Sequence, residues 1–177
     1  MQTDWQLSEF EATERGWEAY TRHLANVKML KHATQDGEPK PGCYYLGIAV
    51  GKAVVGHITI RKQPLIVPAS HLSNNEGLLL TGQDGTPLYE VFVQTFAVEE
   101  AHRRSGYGRA LQEAALEKAG ALGCYQMRSW SSADKAANYA LKISMGFAIL
   151  PALYPMPGGA PLSGVYFVKR IEKEQMH

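Results

Sequence analysis

The chain has 177 residues, 45% of them hydrophobic and 20% charged, which suits a single globular domain over the whole length and excludes a disordered segment or a fibrous repeat. Eighteen Lys and Arg against seventeen Asp and Glu leave a formal charge of +1, short of the basic excess that phosphate-backbone binding needs, so nucleic acid is not an expected partner. Cys43 and Cys124 form neither a disulfide scaffold nor a metal spacing, no apolar run nears the roughly 20 residues of a membrane span, and Met1-Gln2-Thr3-Asp4 lacks the marks of a leader, so the expectation is a cytoplasmic protein with no metal and no membrane contact.

From Glu9 to about Leu30, Phe10, Trp17, Tyr20, Leu24, Val27 and Leu30 recur at helical spacing, predicting a helix with Ser8 as its cap and Glu11 completing the box. Asp4, Glu9, Glu11, Glu14 and Glu18 face only Arg15 in the first twenty residues. They read as a solvated helix face or, more sharply, as an acidic wall that draws in a cationic substrate. His32 to Gly42 reads as a loop. Cys43 to Val50 and Ala53 to Ile60 are β-rich runs around Gly51-Lys52 and predict a hairpin. Gln63 to Pro87 is too punctuated by Pro, Gly and Asn for a long element, with a short strand expected at Leu78 to Leu80. Leu88 to Val98 is a strong strand candidate, and its loop leads into a helix over Arg109 to Lys118. A strand at Tyr125 to Trp130, a helix from about Ser132 to Met145, and a closing hairpin of Ala148 to Tyr154 and Gly164 to Ile171 complete the chain.

Gly106 and Gly108 stand where a strand hands over to a helix. Exposed amides at a helix N-terminus, with no Cβ in the way, make a site for a pyrophosphate, and Arg103, Arg104 and Arg109 surround it with positive charge. A Walker loop is absent, because no Gly-Lys-Ser or Gly-Lys-Thr follows. A dinucleotide fingerprint would want a third glycine where Leu111 stands.

These residues resemble the GNAT superfamily of N-acetyltransferases, whose motif is Arg or Gln, two residues, Gly, one residue, then Gly or Ala. It stands here as Arg103, Gly106 and Gly108, between the strand ending Phe96-Ala97-Val98 and the Ala110-Leu111 helix. A second landmark, a helix ending in Gly-Phe, appears as Asn138 to Phe147. The resemblance is close over Leu88 to Phe147. It implies an α/β fold with a mixed, largely antiparallel sheet of six or seven strands, splayed centrally and flanked by helices on both faces. It also implies acetyl-coenzyme A as co-substrate, held by the loop Arg103, Arg104, Ser105, Gly106, Tyr107, Gly108 and Arg109, with backbone groups near Phe96, Ala97 and Val98 meeting the pantetheine. Asn138 is left to take over a coenzyme contact.

The partner implied is an amine, direct attack with both substrates bound is the implied mechanism, and a homodimer is left open. Acetyl transfer needs a neutral amine nitrogen and a stabilised leaving thiolate. The family's strand carboxylate is replaced by Phe92, which leaves Glu90, on the same face, as the candidate base or as an ion-paired strand residue. The family's sulfur-directed tyrosine is replaced by Lys142, so the acid is either Lys142 or Tyr139 one turn away. Plainer readings are a Lys142 that snorkels to solvent and a Tyr139 that fills the core. His57, in an apolar strand, and His71 read as structural. Because of these departures, a module that binds acyl-coenzyme A without turnover stays open beside the enzyme.

Overall fold

The computed structural model describes residues 5–12, 16–67, 77–154 and 159–172. The first half contains β1 (Trp5–Glu9), α1 (Gly16–Asn26), α2 (Leu30–Ala33), the short strands β2 (Thr34–Gln35) and β3 (Glu38–Pro39), and the hairpin β4 (Cys43–Val50) and β5 (Ala53–Pro64). Two further short strands, β6 (Ile66–Val67) and β7 (Leu78–Leu79), lead to β8 (Tyr89–Val98) and a 3-10 turn at Glu100–His102. The rest is α3 (Tyr107–Ala121), β9 (Gln126–Ser132), α4 (Ala136–Ser144), β10 (Ala148–Tyr154) and β11 (Leu162–Arg170).

Seven strands form one sheet in the order β1-β4-β5-β8-β9-β11-β10. Only β8 and β9 run parallel among its described neighbours, and their register covers just Glu90↔Gln126, Val91↔Met127 and Phe92↔Arg128. Beyond Phe92 the two strands part. β8 stays paired with β5 as far as Val98, and β9 stays paired with β11 as far as Ser132. A register shift opposite Thr59/Ile60 leaves Gln94 as an extra residue in β8, and such a bulge bends a strand and sharpens its twist. The sheet is therefore open along one side of residues 93 to 98.

The two faces bury different chemistry because side chains alternate along each strand. On one face Leu46, Ile48, Ile58, Ile60, Val91 and Val93 pack against Leu111, Ala115 and Ala119 of α3 and against Met127 and Phe167. Burying each large aliphatic there contributes roughly 1.5–3 kcal/mol. On the other face Trp17, Tyr20 and Leu24 of α1 pack with Phe10 and Tyr45. Gly47 permits that approach: a Cβ there would lie 2.9 Å from the Phe10 ring and 3.1 Å from Tyr20.

The expected helix from Glu9 to Leu30 is corrected at both ends. Trp5–Glu9 instead pairs with β4, and the Phe10 amide continues the ladder by donating to the Tyr45 carbonyl at 2.8 Å. Lys28 takes a left-handed φ of 60°, which stops α1 and turns the chain into α2. The alternation of a short edge strand is hidden inside a longer apolar series whose later members do make a helix. The Leu78 to Leu80 strand exists as β7, and the predicted hairpins at β4-β5 and β10-β11 are present.

Candidate functional site

The open side of β8 has a defined polarity. The Glu99 amide donates to the Val55 carbonyl at 2.9 Å. Backbone groups alternate in an antiparallel ladder, so Ala97 and Thr95 also turn theirs to β5, while Phe96 and Val98 turn theirs to the opening. The Val98 carbonyl accordingly accepts from Arg103 Nε at 3.2 Å. Of the three sequence-predicted strand residues, Phe96 and Val98 thus offer backbone to a ligand and Ala97 does not.

At the wide end of the opening the chain makes its 3-10 turn and enters α3 through Arg104 (φ 62°) and Gly106 (φ 83°). Gly106 is the N-cap, no side chain caps the helix, and a Cβ added at Gly106 would meet nothing within 4 Å. The first amides of α3 have no partner within the helix, so they form a positive, sterically open end that suits a phosphate. Arg103, Arg104, Ser105 and Gly106 are exposed.

Three loop residues are placed otherwise than the sequence suggests. Gly108 faces inward: a Cβ there would lie 3.4 Å from both Leu141 Cδ2 and Phe96 Cζ, in contact with α4 and β8 rather than on the open side of the loop. Tyr107 is buried, its ring 5.7 Å from Trp5 and 6.5 Å from His102, and has only its backbone to give. Arg109 donates to Ser144 Oγ at 2.7 Å and lies 3.8 Å from Glu113, which ties α3 to α4.

The α4 flank places the two candidate acids differently. The Tyr139 hydroxyl donates to the Ser131 carbonyl at 3.3 Å, and its ring stands edge-on to Phe167 at 5.1 Å. Ser131 belongs to the stretch of β9 that has parted from β8, but its carbonyl turns toward β11, since the Ala133 amide two residues on donates to the Ser163 carbonyl at 3.2 Å, so this hydroxyl sits over the junction of β9 and β11 on the α4 side. Lys142 neither snorkels nor reaches out. It is 1% exposed, donates to Gln112 Oε1 of α3 at 2.6 Å, and sits 4.1 Å from the Phe147 ring centroid. Burial pushes its ammonium down to about 7. Two buried polar atoms beside the opening, Ser129 Oγ on β9 and Asn138 Oδ1 on α4, have no hydrogen-bond partner among the described residues.

Glu90 takes the ion-paired form that its sequence context left open beside the base. It is 1% exposed and sits where β8 and β9 are still paired. Its carboxylate accepts from Gln63 Nε2 at 2.9 Å, Gln126 Nε2 at 2.8 Å, Arg128 Nε at 3.0 Å and Arg128 Nη2 at 2.5 Å. Burial alone would raise its pKa, but hydrogen bonds from Arg128, Gln126 and Gln63 together outweigh it and hold the carboxyl below its usual range. A carboxylate so satisfied is a poor proton acceptor. Arg128 is itself sandwiched, 5.0 Å from the Phe92 ring and 4.8 Å from Tyr166, and Trp130 meets Tyr154 at 4.8 Å.

Two members of the acidic series are paired, Glu9 with Lys118 at 2.8 Å and Glu18 with Arg22 at 2.7 Å, and Glu11 is exposed. Asp4, Glu14 and His71 lie outside the described residues.

Sequence reasoning passed over a chain of polar groups beneath α1. His57 Nε2 lies 3.1 Å from Thr95 Oγ1, His57 Nδ1 lies 2.9 Å from His23 Nε2, and His23 Nδ1 lies 3.0 Å from Glu99 Oε1. Burial pushes His57 down to about 3, with His23 acting in the same direction, and burial also lowers His23 against the opposing pull of Glu99. The available signal was a histidine three residues after Tyr20 on the apolar face of α1, together with a second histidine in an apolar strand.

The family model for acetyltransferases (GNAT) matches residues 3–147. No curated protein sequence matches the chain. Among solved structures, Arabidopsis thaliana NAA60 in complex with acetyl-CoA superposes with a TM-score of 0.67 at 13% identity, over 94% of this chain and 98% of that one. The same protein with a bisubstrate analogue gives 0.62 at 14%, over 96% and 100%. The ribosomal-protein-S18-alanine N-acetyltransferase of Escherichia coli gives 0.60 at 17%, over 98% and 99%. At these identities the likeness is one of fold.

Proposed function

Because the chain belongs to the GNAT family of acetyltransferases, we propose that it moves an acetyl group from acetyl-coenzyme A to a primary amine of a small molecule or peptide, by direct attack with both substrates bound. The observation that carries this reading is the opening between β8 and β9, which begins after Phe92↔Arg128 and ends at the uncapped N-terminus of α3. The orphaned Ser129 Oγ and Asn138 Oδ1 beside it suit a polar ligand. The acetyl-CoA complex of the Arabidopsis relative supports the choice of co-substrate, and its bisubstrate complex supports an acceptor bound alongside.

Bound acetyl-coenzyme A supplies an activated acyl thioester. The loop amides and the exposed Arg103 and Arg104 would hold its phosphates, and the outward backbone of Phe96 and Val98 would pair with its amides. One such donor facing a carbonyl oxygen is typically worth about 2.7–4 kcal/mol in rate. Tyr139, whose hydroxyl lies on the α4 flank of the parted stretch of β9, is the acid for the leaving sulfur. Phe92, Tyr166, Trp130 and Tyr154, with the Arg128 guanidinium between the first two, form an aromatic wall on the α1 side for the acceptor.

A second reading is favoured by one observation, the commitment of Glu90 to Arg128: the same site binds acyl-coenzyme A without turnover. Thiol release from acetyl-coenzyme A across polyamines, aminoglycosides, amino acids and peptides with a free N-terminus separates the two. Release that requires one of these amines supports transfer. Tight binding with no release across the panel supports the sensor.

A further inference from the structure

With Glu90 occupied, a proton leaving the acceptor needs another route, and the buried polar chain beneath α1 runs from the open part of β8 to the surface. Its inner end is Thr95, three residues beyond Phe92, the last residue of β8 paired with β9, on the stretch where β8 has no partner on its β9 side. Its outer end is Glu99, whose side chain is 31% exposed, while the His23 side chain between them is 1% exposed. His57 is wholly buried.

We propose that Thr95, His57, His23 and Glu99 form a proton exit that carries the acceptor ammonium's proton from the opening of the sheet to solvent. The inference rests on the transfer reading above and adds to it the identity of the groups that take the proton.

The chain has a built-in direction. A carboxylate only accepts hydrogen bonds, so Glu99 requires His23 to carry its proton on Nδ1. His23 Nε2 is then an acceptor and requires His57 to carry its proton on Nδ1. His57 Nε2 is an acceptor in turn and orients the Thr95 hydroxyl proton toward itself, which leaves the Thr95 oxygen lone pairs free for an incoming N–H. Burial keeps both rings neutral, as this arrangement needs.

The transfer balances bond by bond. The ammonium N–H breaks as a new O–H forms on Thr95, and the original Thr95 proton passes to His57 Nε2. The His57 Nδ1 proton passes to His23 Nε2, and the His23 Nδ1 proton passes to the Glu99 carboxylate, which releases it to water. One proton has left the amine, the amine is neutral, and neither imidazole carries a net charge at the end. The titratable and charged groups facing this path are Tyr20 from α1, whose ring centroid is 6.1 Å from that of His57, and His102, whose Nδ1 is 3.9 Å from Glu99 Oε2. Tyr20 is tied to Thr59 at 3.3 Å, and burial pushes its hydroxyl well up, so it neither competes for the proton nor supplies one.

The test has two arms. In uniformly ¹⁵N-labelled full-length protein at pH 7, the imidazole nitrogens of His23 and His57 are expected to report neutral rings, each with its proton on Nδ1. A cationic ring, or a proton on Nε2 of either, overturns the proposal. In the second arm, spermidine and an alanine-initiated peptide serve as acceptor probes for wild type, Glu99→Gln and Thr95→Val. Glu99→Gln still accepts from His23 but takes no proton, and Thr95→Val removes the inner hydroxyl at nearly constant volume. Each is expected to lower kcat at least tenfold while acetyl-coenzyme A affinity stays put; the thermal midpoint is expected to hold in Glu99→Gln and to fall in Thr95→Val, which strands the buried His57 Nε2, and the Glu99→Gln rate is expected to rise with the concentration of an added imidazole buffer. Full rates in both variants, with no buffer dependence, overturn the relay. If the wild type acetylates neither these probes nor any other amine of the panel above while both tautomers are as expected, the transfer reading itself fails and takes the relay with it, a result distinct from a broken relay in an active enzyme.

Discussion

Replacing Lys142 by Met removes a buried ammonium that makes one hydrogen bond, to Gln112 at 2.6 Å, and otherwise faces the Phe147 ring. Burial lowers its pKa from 10.5 to about 7 in the folded protein. The unfolded chain therefore keeps a proton on this lysine across a pH range in which the folded chain has lost it, and stability rises with pH through that range. Between pH 7 and pH 9 the gain from this one group is about 2 kcal/mol, since each pH unit in which only the unfolded state is protonated is worth about 1.4 kcal/mol. Other lysines and tyrosines titrate nearby, so the useful quantity is the difference between wild type and Lys142→Met, which is of nearly the same volume. Urea unfolding of both at pH 7, 8 and 9 gives it. The wild type is expected to gain about 2 kcal/mol more than the variant across that range. Parallel pH dependences would refute the burial of a titrating ammonium here.

The same substitution bears on catalysis. Tyr139→Phe is expected to slow thiol release at least tenfold, about 1.4 kcal/mol in the barrier, while Lys142→Met stays within about threefold; the reverse order would return Lys142 to the sulfur. Arg128→Leu strands the Glu90 carboxylate in the sheet, and chemical denaturation is expected to show a loss of about 3 kcal/mol, the scale for removing one partner of a buried pair. A loss below about 1 kcal/mol would mean that Glu90 finds other donors. His57 is neutral in the fold and has a pKa pushed from 6.5 to about 3, so stability is expected to hold above pH 6.5 and to fall by about 1.4 kcal/mol per unit below it. His57→Gln should lose less on acidification than the wild type, and equal losses would count against a buried neutral ring.

Much of the fold was legible because it rests on local patterns. The Gly51-Lys52 hairpin, the strand ending at Val98 and the glycine entry to α3 each announce themselves within a dozen residues. The β1 strand did not, because Trp5 and Leu7 run into the apolar series of α1 and only pairing with β4 separates them. The site was less legible than the fold. Gly108 turns toward Leu141 and Phe96, which no single-sequence pattern distinguishes from room for a phosphate. Glu90 resembles a free base until Gln63, Gln126 and Arg128 arrive from two other strands. His23 and His57 are 34 residues apart, and only the packing of α1 across β5 brings them into one hydrogen-bonded chain.

The central claim, that acyl-coenzyme A occupies the opening between β8 and β9 with its phosphates on the α3 N-terminus, is tested most directly by backbone amide NMR during an acetyl-coenzyme A titration. The largest shifts are expected at the amides of Arg104 to Arg109, at Phe96 and Val98 on the open side of β8, and at Trp130 across from them, with Ala97 moved less than its two neighbours. Shifts confined to the cationic hollow formed by Leu30, Lys31, Lys40 and Arg61, with the α3 entry unmoved, would contradict it.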